Sequence, residues 1–504
     1  MDSPSLLGAP AAGTPPLDPA HFADLGMDRV VAEAAAHDPE IAPLFRAPAP
    51  TVAVAQYRQD LCGALRRDAG LTAGLRRFCA GMAATREARS NAERLRLAPE
   101  RDAWFLDGAR RYLAAVAELR SVLAAVTDPP AALRDLRAHL DALSESHEHR
   151  SLADDAATAA GLMDAVEYTV RIKKSDVRVG RYHGEPDYGA EVAAVFERFR
   201  IDNTTRRSED VPVRPGLDGV EAAILTDVAA LFPDAFRTLA RFRERHAGAG
   251  DPAVTRADLE IRWYLGFLDF VARLEAEGVP FTLPTLSPDP VLDAHGTVDL
   301  AMATDLVRRG EPVVGNDVRL GRDERVLVIT GPNHGGKTAL ARAFGQIHHL
   351  AALGLPVPGT AVEIGLFDAL CTQFERPESA DDRRGRLEAD IEGMREILTA
   401  ATGRTVVVMN ETFASTSLED GIRLGSAVVR RLVERGVRCA YVTFADEIAL
   451  LGDGVVSMTA DVPAEPSART FRVRRGRPHG LAHAAALAHR HGLDPDTLRR
   501  RIAS

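Results

Sequence analysis

Residues 326–338 read Val-Leu-Val-Ile-Thr-Gly-Pro-Asn-His-Gly-Gly-Lys-Thr, and this stretch decides the fold class. Val326 to Thr330 is a short apolar run of the kind that forms a strand buried on both faces. Gly331-Pro332-Asn333-His334-Gly335-Gly336-Lys337-Thr338 fits the pattern G-x-x-x-x-G-K-[ST], which arises by chance in roughly one window in 25,000 at average usage. Thr338 to about Leu350 then has helical texture. Strand, glycine loop and helix together turn backbone N–H groups inward toward phosphate oxygens. Gly331, Gly335 and Gly336 permit the tight loop, and the helix N-terminus adds partial positive charge. Lys337 carries a flexible point charge to the β- and γ-phosphates, and the Thr338 hydroxyl can ligate Mg²⁺.

The chain contains 62 Lys+Arg but only three lysines, Lys173, Lys174 and Lys337. A lysine kept under such a bias marks a place where a compact ammonium is wanted and a guanidinium is not.

Working outward, Thr405 to Met409 is a second buried strand, ending in Asn410-Glu411. Enzymes with this loop usually carry an acidic pair there. The first carboxylate holds Mg²⁺ through water, and the second orients the attacking water as general base. Glu411 occupies the base position and is the catalytic candidate. Asn410 still offers an oxygen to the metal's water, but it removes a negative charge, so Mg²⁺ should be held less well. Short β-branched runs such as EPVVGNDVRL and RCAYVTFA alternate with helical segments. That alternation predicts a parallel sheet wrapped by helices.

The proline-rich stretch 278–292 marks a domain boundary. An α/β domain is expected over 285–504, a mostly helical region over 21–284 and a flexible tail over 1–20. Phe105, Ala109, Tyr112, Val116, Leu119 and Leu123 form one helical stripe, and Ile261, Tyr264, Leu265, Leu268 and Val271 another. Residues 168–182 alternate apolar and charged residues and predict a hairpin with KKSD at its turn. Arg171, Lys173, Lys174, Arg178 and Arg181 would cluster on it, either as a solvated face or as contacts to a DNA backbone.

The 46% hydrophobic content, with only 5% aromatics, favours a large aliphatic core. A net charge of −10 gives no global attraction to nucleic acid, so any DNA contact needs a local basic patch. No apolar run spans a membrane and the N-terminus lacks a signal-peptide pattern. Cys62, Cys79, Cys371 and Cys439 show no metal spacing, which suits reduced core residues in a cytoplasmic protein. His483, His489 and His491 read as exposed helix histidines. Arg472, Arg474, Arg475 and Arg477 form either a basic edge or a solvated strand.

Three more stretches carry a family resemblance. GPNHGGKT resembles the GPNMGGKS loop of MutS DNA mismatch-repair proteins, including its Pro-Asn pair. Asn410 to Gly421, NETFASTSLEDG, is similar to the family's DEIGRGTSTYDG. Pro358 to Gly365 resembles its VPA…EIG segment. Thr470-Phe-Arg-Val, Gly480 to Ala488 and Gly492-Leu resemble its closing TYKL…YGI.VAKLAGL pattern. The match covers roughly 310–500, and the helical region suits the family's core and lever by texture. The resemblance implies ATP and Mg²⁺ bound by the loop, with Thr338 and Asn410 at the metal and Glu411 polarising water. It places Ser417 and Asp420 in the signature that contacts the partner subunit. It further implies a homodimer whose nucleotide state moves levers that clamp mismatched or branched DNA.

The departures are equally specific. The family's metal-binding acid is Asn410, and the arginine after the acidic pair is Ala414. Its Gly-Arg-Ser-Thr loop reads Gly385-Arg386-Leu387-Glu388. Its switch-strand Thr-His reads Thr443-Phe444, and its adenine-stacking phenylalanine is matched by Val313. These changes predict ATP binding with slow hydrolysis. No Phe-x-Glu mismatch wedge is found, so a short form built of levers and ATPase is expected. The alternative is a nucleotide-gated protein scaffold with no direct DNA role.

Overall fold

The two helical stripes fold as their spacing requires. Ala98–Ala125 buries Ala109, Tyr112, Val116, Leu119 and Leu123. Pro252–Ala276 buries Ile261, Tyr264, Leu265 and Val271. The structure, a computed structural model, describes residues 4–8, 16–173, 176–185, 216–332, 335–375, 385–461, 470–478 and 499. The chain divides into two compact units, one of Ala73–Thr127 with Arg137–Asp258, the other of Asp2–Thr72, Asp128–Leu136 and Leu259–Ser504. The second unit therefore joins the region of the phosphate loop to the N-terminal segment, a long-range association the sequence boundary at 278–292 does not contain.

In the first unit, the helices Ala98–Ala125, His147–Asp164 and Pro233–His246 pack on one another. Asp218 and Glu221 form a reciprocal capping box at the start of Gly219–Leu231, satisfying backbone donors at both ends of the turn. The expected hairpin is present. β1 (Tyr168–Lys173) pairs antiparallel with β2 (Asp176–Arg181), Lys173 lying opposite Asp176.

Among the described residues the second unit contains three sheets. β3 (Phe281–Thr282) pairs with β8 (Val357–Pro358). β4 (Thr285–Ser287), β5 (Leu292–Thr297), β6 (Asn316–Leu320) and β9 (Ala361–Gly365) form a mixed sheet in the order β4-β9-β5-β6. The third sheet carries the phosphate loop. Its strands are β7 (Val326–Thr330), β10 (Leu370–Phe374), β11 (Val406–Asn410), β12 (Arg438–Val442), β13 (Val455–Ala460) and β14 (Val473–Arg475), in the order β10-β11-β12-β7-β13-β14. Its first five members are parallel and β14 is an antiparallel edge.

Two expectations are corrected. EPVVGNDVRL does not join the parallel sheet, because its strand β6 belongs to the mixed one. The reason is one-sided burial: β5 and β6 alternate buried and open positions, whereas β7 is buried at every residue. The flexible tail expected over 1–20 is also wrong for residues 4–8 and 16–20. Leu6 is 2% exposed, and its N–H donates to the buried Glu260 carboxylate, as does the Ser5 hydroxyl. A buried carboxylate needs donors, and the N-terminal segment supplies them.

One face of the parallel sheet is covered by Arg386–Ala400 and Leu418–Glu434 through Val328, Val407, Met409, Val429 and Leu432. Lys337–Leu353, the helix after the loop, packs against β11 and β12. Among the described residues no helix is long and apolar enough to cross a membrane. Cys62, Cys79 and Cys439 are buried free thiols and Cys371 is half-buried.

Candidate functional site

The glycine loop is shaped by its neighbours as much as by its glycines. Gly331 and Gly336 have φ of 121° and 88°, a region that favours glycine. A Cβ at Gly335 would lie 2.8 Å from the Ala460 side chain, and one at Gly336 would lie 3.1 Å from the Phe471 carbonyl. Asn333 and His334 lie outside the described residues.

Lys337 is buried, and its Nζ donates to the Gly331 carbonyl at 2.6 Å. The ammonium also sits 4.1 Å from the Phe444 ring centroid. Burial lowers its pKa, and the charges of Glu411 and Asp446 oppose that shift. The Thr338 hydroxyl donates to Asn410 Oδ1 at 2.9 Å. This contact crosses the place of β12, since Asn410 pairs with Val442 and Val442 with Ile329. A hydroxyl at a helix start and an amide oxygen at a strand end, side by side, fit a hard oxygen-seeking cation. Among the described residues no group of three or more His, Cys, Asp and Glu side chains could hold a metal ion.

Glu411 stands at the C-terminal end of β11 with φ of 55°, uncommon for a non-glycine residue. Its turn is held from several sides. Glu411 N–H donates to the Val442 carbonyl at 2.9 Å, Phe413 N–H to Asp390 at 3.1 Å and the Thr412 hydroxyl to the Gln373 carbonyl at 3.1 Å.

Two adjoining cavities flank the loop. One, of about 170 Å³, is mostly apolar and lined by Val298, Met302, Leu306, Pro312, Val313 and Phe471 among others. The second, of about 510 Å³, is polar and lined by Lys337, Thr338, Glu411, Arg29, Arg342 and Phe471 among others. Both border Asp299, Met302, Gly336, Ala339 and Phe471. An apolar slot opening into a polar cleft that holds Arg29, Lys337 and Arg342 beside Asp299, Asp305 and Glu411 fits a nucleobase joined to a polyphosphate.

The remaining candidates are dispersed. Ser417 caps Leu418–Glu434, accepting from Asp420 N–H at 3.2 Å and donating to its carboxylate at 2.9 Å; both residues are exposed. Leu387 packs against the core beneath the sheet, so it faces away from any phosphate. On the hairpin, Arg171 lies opposite Arg178 and shares a face with Lys173. Arg171 pairs with Glu185 at 3.1 Å, and Lys174 lies outside the described residues. Arg181 does not join this cluster. Strand alternation turns it to the other face, where it donates to the Leu231 carbonyl and covers Phe232 at 4.8 Å. The basic edge strand is partly neutralised, Arg475 by Glu324 and Arg474 by Asp461. His483, His489 and His491 lie outside the described residues.

The family model for MutS domain V matches residues 327–471, from β7 to Phe471. The chain is 31% identical over 199 residues to an endonuclease MutS2 of Gemmatimonas aurantiaca, covering 39% of this chain and 24% of that protein. It is 30% identical over 349 residues to a DNA mismatch repair protein MutS of Granulibacter bethesdensis, covering 65% of this chain and 36% of that protein. Residues 327–471 carry a MutS domain V.

An endonuclease MutS2 of Thermus thermophilus matches at 28% over 240 residues, 44% of this chain and 32% of that protein. The aligned stretches thus span a quarter to about a third of the length of these MutS relatives. Sequence reasoning missed Phe471 and Arg29 as members of the MutS-type cleft. Phe471 lay within the quoted TFRV stretch but was not read as part of the cleft. Arg29 had no motif to betray it.

Proposed function

We propose that this chain binds ATP with Mg²⁺ between Gly331–Thr338 and Asn410–Glu411 and hydrolyses it slowly. In a homodimer the nucleotide state then governs contact with mismatched or branched DNA in repair or recombination. The observation that carries the reading is the convergence of Lys337, Thr338 and Glu411 on one cleft, with Asn410 hydrogen-bonded to Thr338.

Lys337 and the loop amides hold the polyphosphate, and the apolar slot takes the base between Val313 and Phe471. Thr338 and Asn410 offer the oxygens for Mg²⁺, which when bound neutralises phosphate charge. Glu411 orients the water. Asn410, Ala414, Leu387 and Phe444 together remove polar stabilisation around the γ-phosphate, and removing a single such group typically costs about 10²–10³ in rate. In this reading 285–504 form the ATPase domain, 21–284 supply core and lever, and Ser417 with Asp420 contact the partner. Arg171, Lys173, Lys174 and Arg178 meet the DNA backbone.

ATP binding and turnover are to be measured on one sample, with and without branched or mismatched DNA. The expected result is tight binding abolished by Lys337→Ala, and slow turnover abolished by Glu411→Gln. A Lys337→Ala protein with unchanged affinity sinks the site. Turnover at a rate normal for MutS ATPases sinks the slow-hydrolysis claim. The net charge of −10 and the Arg171–Glu185 pair favour a second reading, a nucleotide-gated protein scaffold. DNA binding that weakens steeply with salt excludes it.

A further inference from the structure

Arg29 stands far from the loop in sequence, on the helix Met27–Ala34, yet it lines the same cleft as Lys337, Thr338 and Glu411. The helix that carries it is firmly seated. Met27, Val30, Val31 and Ala34 are buried, and the Leu25 carbonyl just before it accepts from Gln346 in the loop helix at 2.8 Å. The Arg29 guanidinium is the exposed end of a side chain on this seated helix. Its side chain is 51% exposed and is paired with Asp305, itself 33% exposed. A pair this open contributes little, so it exchanges readily for a stronger partner. Arg342, which lines the same cleft, is otherwise engaged: its Nε donates to the Asp24 carbonyl at 3.0 Å.

We infer that Arg29 contacts the nucleotide, its guanidinium leaving Asp305 for the polyphosphate of a bound nucleoside triphosphate. The inference rests on the reading of the cleft as a nucleotide site and adds a residue to it. The planar fork of arginine suits phosphate oxygens. It also brings, from the N-terminal segment, a positive group to the cleft lined by Lys337, Thr338 and Glu411. Occupancy of the site is thereby tied to the position of Met27–Ala34.

The test is calorimetric titration of the full chain with ATP, and with adenosine as a phosphate-free probe, at low and high salt. Arg29→Gln should weaken ATP about ten-fold, leave adenosine unchanged and make ATP binding less dependent on salt. Asp305→Asn breaks the same ion pair but frees the guanidinium, so it should bind ATP at least as tightly as wild type. Arg29→Lys, keeping the charge without the fork, should fall between and serves where Arg29→Gln does not fold. If Arg29→Gln and Asp305→Asn weaken ATP equally, the pair is merely structural and the inference fails. If Arg29→Gln binds ATP normally while Lys337→Ala does not, the inference fails and the site stands. If wild type takes no ATP, both fall.

Discussion

Phe444 stands where MutS relatives are expected to carry a histidine, and its ring lies under the ammonium of Lys337. Such a contact is worth about 0.5–2 kcal/mol, and an arriving triphosphate must compete with it. Phe444→Ala is therefore expected to tighten ATP binding by about three- to ten-fold, read by calorimetry; weaker or unchanged binding would count against that competition. Burial lowers the Lys337 pKa, so its charged form is lost earlier than in an ordinary lysine. ATP affinity should accordingly decline as the pH is raised, starting below the usual lysine range, and an affinity flat to high pH would contradict this. Lys337, Thr338 and Glu411 were legible in the sequence because loop chemistry fixes their spacing. Arg29 and Phe471 were not, since only folding brings residues so distant in the chain to one cleft.

At the scale of elements, Ser417 is a helix cap whatever else it does. Ser417→Ala should cost about 1 kcal/mol, and Ser417→Asp, which caps equally well, should cost almost nothing. Urea unfolding of both variants decides; equal losses would show that the cap is not the source. The strands β7 and β11 were readable as uninterrupted apolar runs. The mixed sheet β4-β9-β5-β6 was not, because its strands are short, open on one face and drawn from segments some seventy residues apart. The hairpin was readable in its register but not in its charge distribution, since the engagement of Arg181 with Leu231 and Phe232 depends on a helix that follows later in the chain.

For the whole molecule, the most consequential titrating groups lie far inside. His348 and His349 are buried, with Nδ1 of the first bonded to the Phe344 carbonyl and Nε2 of the second to the Phe45 carbonyl, both at 2.7 Å. The other ring nitrogen of each has no hydrogen-bond partner among the described residues. Burial pushes their pKa values down to about 3 and about 4, from 6.5. The unfolded chain therefore binds protons that the folded one refuses. Stability is lost as the pH falls from 6.5 toward those values, by about 2 kcal/mol per histidine at pH 5. Denaturation at pH 7.5 and pH 5 should show this loss, and a His349→Leu variant should show less of it; an identical pH response would remove His349 from the account. At this scale the sequence exposed the helical and α/β halves by texture. It concealed that residues up to Thr72 fold with the second half, because Glu260 and Gln346 choose partners by position in space.

The helix that follows the glycine loop has almost no solvent side. From Leu340 to Leu353 nearly every residue is enclosed, by the sheet beneath and by backbone at Leu25, Phe45 and Ala49 above. A rod clamped all round cannot rock or slide by itself when its tip gains or loses a charged guest. Whatever mechanical signal leaves the site must depart through the short turns at its mouth, 411–417 and 443–446, or through the attached N-terminal segment, and cross-links that freeze those turns should uncouple occupancy from motion while leaving occupancy intact.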